Sequence, residues 1–276
     1  MKLVRILLPI TRHGTSDACA AAAFGLAERS GAELEVLHPC LSPSARLPYS
    51  TELSPVYFDE LADVGKKQVA LEKRQAKQWF AKVARGHPKT RAGLIAIEGL
   101  IAPTVSTRAK ASDLTVLPAG ATKEDEFWRS ARDAALFQSG RPVLVVPKEA
   151  RGTIGTSVVI AWKDAVEAVR AVAASRPLLA EAKRIRLVAI SEQISDPDPT
   201  AAAMIDYLKL AGLRVELAEL ALDSRPVGEV LLNEASGEGA LLVMGAYGRW
   251  RWREWIFGGA THYVLHHTPV PVLMMH

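Results

Sequence analysis

One pattern of apolar runs occurs twice along the chain, and that repetition limits the folds open to it. Val4-Arg5-Ile6-Leu7-Leu8-Pro9 opens the first half and Ser157-Val158-Val159-Ile160-Ala161-Trp162 the second. Each is followed by a helix-forming stretch, 16–29 and then 165–179. The halves close alike, with Arg141-Pro142-Val143-Leu144-Val145-Val146 and Val270-Pro271-Val272-Leu273-Met274-Met275. Just before these endings stand two further apolar runs, 111–116 and 239–244. Matching landmarks in matching order mark an internal duplication. The joint, 148–153, is polar and holds Gly152. The expected units are therefore 1–149 and 154–276.

Within each unit short apolar runs alternate with helical stretches. Strands are expected at 3–9, 33–38, 91–98, 113–118 and 142–147, then at 156–162, 184–190, 214–221, 240–245 and 271–275. Strands separated by helices build βαβ units and a mostly parallel sheet. The longest helix should start at Ser54-Pro55, an N-cap followed by proline in the first turn. It should stop at Gly86, with Pro88 just beyond. Its counterpart, about 200–211, is much shorter, and a proline-rich connection (Pro39, Pro43, Pro48, Pro55) precedes the long helix.

Composition narrows the class. With 49% hydrophobic and 23% charged residues over 276 positions, the chain reads as a globular protein. No apolar run reaches the roughly 18 residues of a membrane span. The first apolar run ends at Pro9, too early for a secretory signal. Cys19 and Cys40 make neither a disulfide framework nor a zinc site, which fits a reducing cytoplasm. A net charge of +4 is small and does not by itself point to nucleic acid.

The strongest chemical signal is a glycine frame near the C-terminus. An apolar run, 241–244, leads into Gly245 and Gly248; nine residues later come Gly258, Gly259, Ala260 and Thr261. Glycines between a strand and a helix let the backbone approach an anion, and the helix N–H groups then point at it.

The strand–helix order, the Gly245-x2-Gly248-x9-Gly258 frame and the ending Thr268-Pro269-Val270-Pro271-Val272-Leu273 resemble the universal stress protein family in its tandem two-domain form. The resemblance covers essentially the whole chain. It implies an α/β fold of two tandem open, parallel five-stranded sheets flanked by helices, Rossmann-like, and packed as an intrachain pseudo-dimer. It also implies ATP or another adenine nucleotide at the carboxyl ends of the strands, near the topological switch point. By position, Ala161, Trp162, Lys163 and Asp164 would face the adenine and ribose. Gly245, Gly248, Gly258, Gly259 and Ala260 would hold the phosphates; beside that set, Thr261 could partly compensate for the hydroxyl missing at Gly259, and Arg249 could reach the phosphates from the loop.

Several positions depart from the family pattern. Gly259 stands where nucleotide-binding members usually carry a serine or threonine. One hydrogen bond to a charged group is worth about 1.5–3 kcal/mol, so affinity should be weakened. Lys163-Asp164-Ala165 replaces the usual acidic or amide residue, glycine and small hydroxyl residue. In the first half Leu117 stands for Gly245, and Arg129 or Ser130 for Gly258 and Gly259; only Gly120 still matches. That half is expected to serve structure.

Other features are secondary. The loop inside the frame holds Arg249, Trp250, Arg251, Trp252, Arg253 and Trp255. Its arginines could form a lid on a polyphosphate, or its aromatics and cations a nucleic-acid or membrane contact. Packing of Trp255 and Phe257 under the loop is the simpler reading, while Trp250 and Trp252 suggest a protein contact. His262 and His266 have i,i+4 spacing, but no carboxylate or cysteine completes a metal set, and no metal is predicted. There is no Gly-x-Ser-x-Gly elbow, no P-loop and no nucleophile–base pair. The expectation is a ligand-sensing stress-response module, not an enzyme, with at most slow ATP hydrolysis. Homodimerisation is expected, and neither nucleic acid nor membrane is an expected partner. The alternative is an interaction module that has lost nucleotide binding.

Overall fold

The structure is a computed structural model. It describes residues 2–40, 55–120, 126–191, 198–222, 224–246 and 259–276, with the side chains of 55–62 excepted. Ten strands form one continuous sheet in the order β3-β2-β1-β4-β5-β10-β9-β6-β7-β8. In the first half these are β1 (Arg5–Pro9), β2 (Glu33–Cys40), β3 (Ala92–Glu98), β4 (Leu114–Pro118) and β5 (Val143–Val146). In the second they are β6 (Ser157–Trp162), β7 (Arg184–Ser191), β8 (Val215–Ala221), β9 (Ala240–Gly245) and β10 (Val272–Met275).

Among the described residues every pairing of these strands within a half is parallel. The two halves meet through an antiparallel pairing of β5 with β10, in which Leu144 lies opposite Leu273. The halves thus pack as the expected pseudo-dimer, through their last strands, and the joining refines the expected pair of sheets into one. Each last strand would otherwise present an open row of backbone donors and acceptors.

Helices cover both faces. On one lie α1 (Asp17–Ser30), α2 (Pro55–Ala84), α5 (Val166–Leu179) and α6 (Pro199–Leu210). On the other lie α3 (Ile101–Lys110), α4 (Glu126–Gln138), α7 (Val227–Glu234) and α8 (Ala260–His267). Strand alternation feeds the two cores: Leu144 and Val146 pack in the first, Val143 and Val145 in the second. Both cores run through both halves, since Phe24 shares one with Val172, and Val105 shares the other with Val264.

Local signals explain the main elements. Ser16 caps α1 by accepting from the Cys19 N–H at 3.3 Å. Gly31 ends α1 in the left-handed conformation at φ 66°. Asp198 caps α6, accepting from the Thr200 N–H at 2.8 Å, with Pro199 in the first turn. Ser54 lies outside the described residues, but α2 does begin at Pro55. At the joint, Arg29 of α1 donates to the Ile154 carbonyl at 2.6 Å and pairs with Glu181 at 3.0 Å, so one guanidinium holds the first half, the linker and the second half.

Candidate functional site

In the second half β6 stands between β7 and β9. The chain leaves β6 toward β7, while β9 closes the other side, so the strand order reverses there. Ligand crevices of open α/β sheets lie at the carboxyl ends of such strands. The sequence-predicted residues gather at that edge. Ala161 sits on β6 beside Met244 of β9, and Gly245 follows directly. Lys163 and Asp164 are exposed in the turn after β6. Gly259, Ala260 and Thr261 are half-buried at the start of α8. Gly248, Arg249, Trp250, Trp252 and Gly258 lie outside the described residues.

The start of α8 has the form of an anion site. Gly259 is the N-cap, extended at φ −78° and ψ 159°, and makes no side-chain cap bond. The first helical bond runs from the Tyr263 N–H to the Gly259 carbonyl at 3.1 Å. The N–H groups of Ala260 and Thr261 therefore point out of the helix end, with the positive end of the helix dipole behind them. Gly228 of α7 fixes this end: a Cβ there would lie 3.0 Å from the Ala260 carbonyl and 2.9 Å from Tyr263. Tyr263 in turn donates to Glu229 at 3.3 Å.

Two predicted residues play other parts. Trp162 is 7% exposed, and its indole N–H donates to the Thr200 hydroxyl at 3.0 Å. That hydroxyl donates on to Asp198 at 2.6 Å. The Trp162 side chain is thus core and belt for the α6 cap, and does not face the crevice. The alternation Val158, Ile160, Trp162 on one face carries the signal for this, since all three join the same core. Gly245 owes its lack of a side chain to packing. An added Cβ would lie 2.7 Å from the Ala168 nitrogen and 2.9 Å from Glu167 Cβ in the first turn of α5. Thr200, Asp198 and Glu167 were not singled out by sequence, although Asp198-Pro199-Thr200 is a legible helix start.

The corresponding edge of the first half is occupied from within. Gly14, at φ 89°, follows β1 so closely under Trp79 of α2 that a Cβ would overlap the indole at 2.1 Å. Arg12 reaches Glu72 of α2 at 3.3 Å. His38 of β2, 2% exposed, bonds the Ile10 carbonyl through Nδ1 at 3.2 Å. Burial pushes this imidazole below the usual histidine range, and Arg12 and Lys73 add to that, against the Ile10 carbonyl and Glu72. Leu117 is buried in β4, and Arg129 and Ser130 lie inside α4, so none of the three copies the glycine turn.

Among the described residues no group of three His, Cys, Asp or Glu could hold a metal, and no helix is long and apolar enough to cross a membrane. His262 and His266 stack at 4.1 Å between ring centroids.

Fold and crevice define an open, doubly wound α/β protein in tandem, with the starts of α5 and α8 at its switch point, neither bonded by a cap side chain. Residues 161–276 match the model of the Universal stress protein family. That match lies in the second half alone and gives it the character of a universal stress protein domain. A universal stress protein from Archaeoglobus fulgidus DSM 4304 has a TM-score of 0.65 at 16% identity, over 98% of this chain and 97% of that one. A functionally unknown protein from Pseudomonas aeruginosa PAO1 has a TM-score of 0.59 at 15% identity, over 99% and 92%. A putative universal stress protein from Pseudomonas aeruginosa UCBPP-PA14 has a TM-score of 0.55 at 13% identity, over 99% and 93%. At these identities the likeness is one of fold, and it spans both halves. No curated protein matches the chain.

Proposed function

We propose that the second half binds an adenine nucleotide, ATP above all, and that the chain senses this ligand without turning it over. The observation that carries the reading is the uncapped start of α8 at the switch point: donors without a side-chain acceptor, with the exposed Lys163 at the same edge of the sheet, in the turn after β6. The donor set fits a phosphate chain, with backbone N–H groups and a lysine as a point charge. Asp164 is exposed at the same edge and suits a ribose hydroxyl. The first half, closed by Trp79, keeps the fold and binds no nucleotide. The missing hydroxyl at Gly259 keeps the affinity modest.

Isothermal titration with ATP, ADP and AMP tests this reading. Saturable binding is expected, weakening as phosphates are removed. Gly259→Asp would place a carboxylate at the N-cap, a favourable cap for the fold and a repulsive one for phosphate. That variant should melt no lower than the wild type and lose binding. Absence of heat from any of the three nucleotides, with a well-folded protein, would leave the interaction-module reading in its place.

A further inference from the structure

The net charge of +4 conceals a segregation. Between positions 63 and 91 the chain carries nine Lys or Arg against Asp63 and Glu72; elsewhere it carries 25 against 28. Three of the nine are engaged: Lys66 with Asp63, Lys73 with Glu98, and Arg91 with the Gly31 carbonyl. The other six, Lys67, Arg74, Lys77, Lys82, Arg85 and Lys89, are exposed. None of these six enters an ion pair among the described residues.

Helix geometry aligns them. At 3.6 residues per turn, Lys67 and Arg74 fall within about 20° of one line along α2, and Arg85 follows directly on the helix's last residue, Ala84. Lys77 and Lys82 flank that line. The opposite face holds the buried Val69 and Ala76. The fold does not demand this helix length, because α2 has 30 residues and its counterpart α6 has 12. Unpaired like charges held in a row repel one another, and a polyanion relieves that repulsion.

The residues between the cations select the polyanion. Val64, Ala70, Leu71, Gln78 and Ala81 are also exposed on this face, and only Val64 and Leu71 among them are large and apolar, too few for a continuous apolar stripe. An interfacial membrane helix needs a broad apolar face to bury. Single-stranded nucleic acid needs stacking rings, yet Trp79 is turned onto Gly14 and Phe80 packs against the core. A duplex needs only a line of cations, since it carries one charge per about 1.7 Å of axis. The B-form major groove, about 12 Å wide, accepts the face of a helix, whereas the A-form groove is too narrow. We infer that the solvent face of α2 is a docking surface for the phosphate backbone of double-stranded DNA, taken without regard to base sequence. It lies in the half that the nucleotide reading leaves without a nucleotide, and stands or falls separately from it.

Fluorescence anisotropy of a labelled duplex of about 20 base pairs, titrated with the full chain at several salt concentrations, tests the inference. With about five phosphates engaged, log K should fall against log salt with a slope of about −4 to −5. Lys67→Glu, Arg74→Glu and Arg85→Glu together should weaken binding at low salt by roughly 30-fold or more and flatten the slope by about 3 units. Lys148→Glu, Lys183→Glu and Lys209→Glu change the net charge equally, away from α2, and should bind within about threefold of wild type. Circular dichroism of each variant confirms that α2 is intact. No wild-type binding at low salt overturns the inference, as does equal weakening by the two triple variants. Tighter binding to phosphatidylserine vesicles, or to an RNA duplex of the same length, overturns it as well.

Discussion

Gly259→Ser adds one hydroxyl at the point where α8 meets the crevice. The backbone there, φ −78° and ψ 159°, is extended and open to any residue, so the substitution introduces no strain. Without ligand, the serine oxygen accepts an N–H from the first turn of α8; relative to glycine this is worth a few tenths of a kcal/mol. With a phosphate present, the same hydroxyl still has its proton to donate. A hydrogen bond to a charged group is worth about 1.5–3 kcal/mol, and half-burial of the site argues for the lower end. The expected gain is therefore about 1.5 kcal/mol, roughly tenfold in affinity. Titration calorimetry with ATP on wild type and variant reads the affinity, and thermal unfolding without ligand reads the fold. An ATP affinity unchanged by the serine, with the melting temperature preserved, would refute the placement of phosphate at this helix end.

Further outcomes follow from groups away from the crevice. Arg108 meets Glu35 through two parallel hydrogen bonds, and Glu35 is 4% exposed; Arg108→Met should cost about 3 kcal/mol in urea denaturation, with part recovered on adding Glu35→Gln. The buried His38 has its folded pKa below its unfolded value of about 6.5, so the unfolded chain binds the extra proton. Its contribution is complete above that value and lost as pH falls toward the folded pKa; melting temperature should drop on acidification, less steeply in His38→Gln. Burial lifts the thiols of Cys19 and Cys40 to about 12 and about 11, so iodoacetamide at mildly alkaline pH should label neither until the protein is denatured. Rapid labelling of the native chain would contradict the burial of both.

The strands were legible because their apolar runs are short, dense and repeated: all ten expected positions lie within two residues of those in the sheet. The helices were legible where punctuation marks them, as at Ser16, or Pro55 and Gly86. α3 and α7 are short, and their caps, Leu100 and Pro226, offer no side-chain acceptor, so nothing in the sequence delimits them. The glycine frame showed where a site should be, but not why each glycine is there. Gly245 answers to the first turn of α5, a contact between segments 77 residues apart that spacing alone does not reveal. Trp162 was legible in principle from strand alternation; its aromatic character drew attention to the crevice instead. The basic face of α2 was hidden by summing charge over the whole chain.

The antiparallel seam between β5 and β10 has a consequence for how this protein depends on its own concentration. Two separate copies joined by such a seam would dissociate on dilution, and their stability would follow mass action. Here both strands belong to one chain, so the seam holds at any dilution and its partner is always present. The first half can then lose its glycine turn, fill its crevice with Trp79 and lengthen α2 without endangering the edge of the second. One half is committed to closing the sheet, which leaves its outer surface free to diverge.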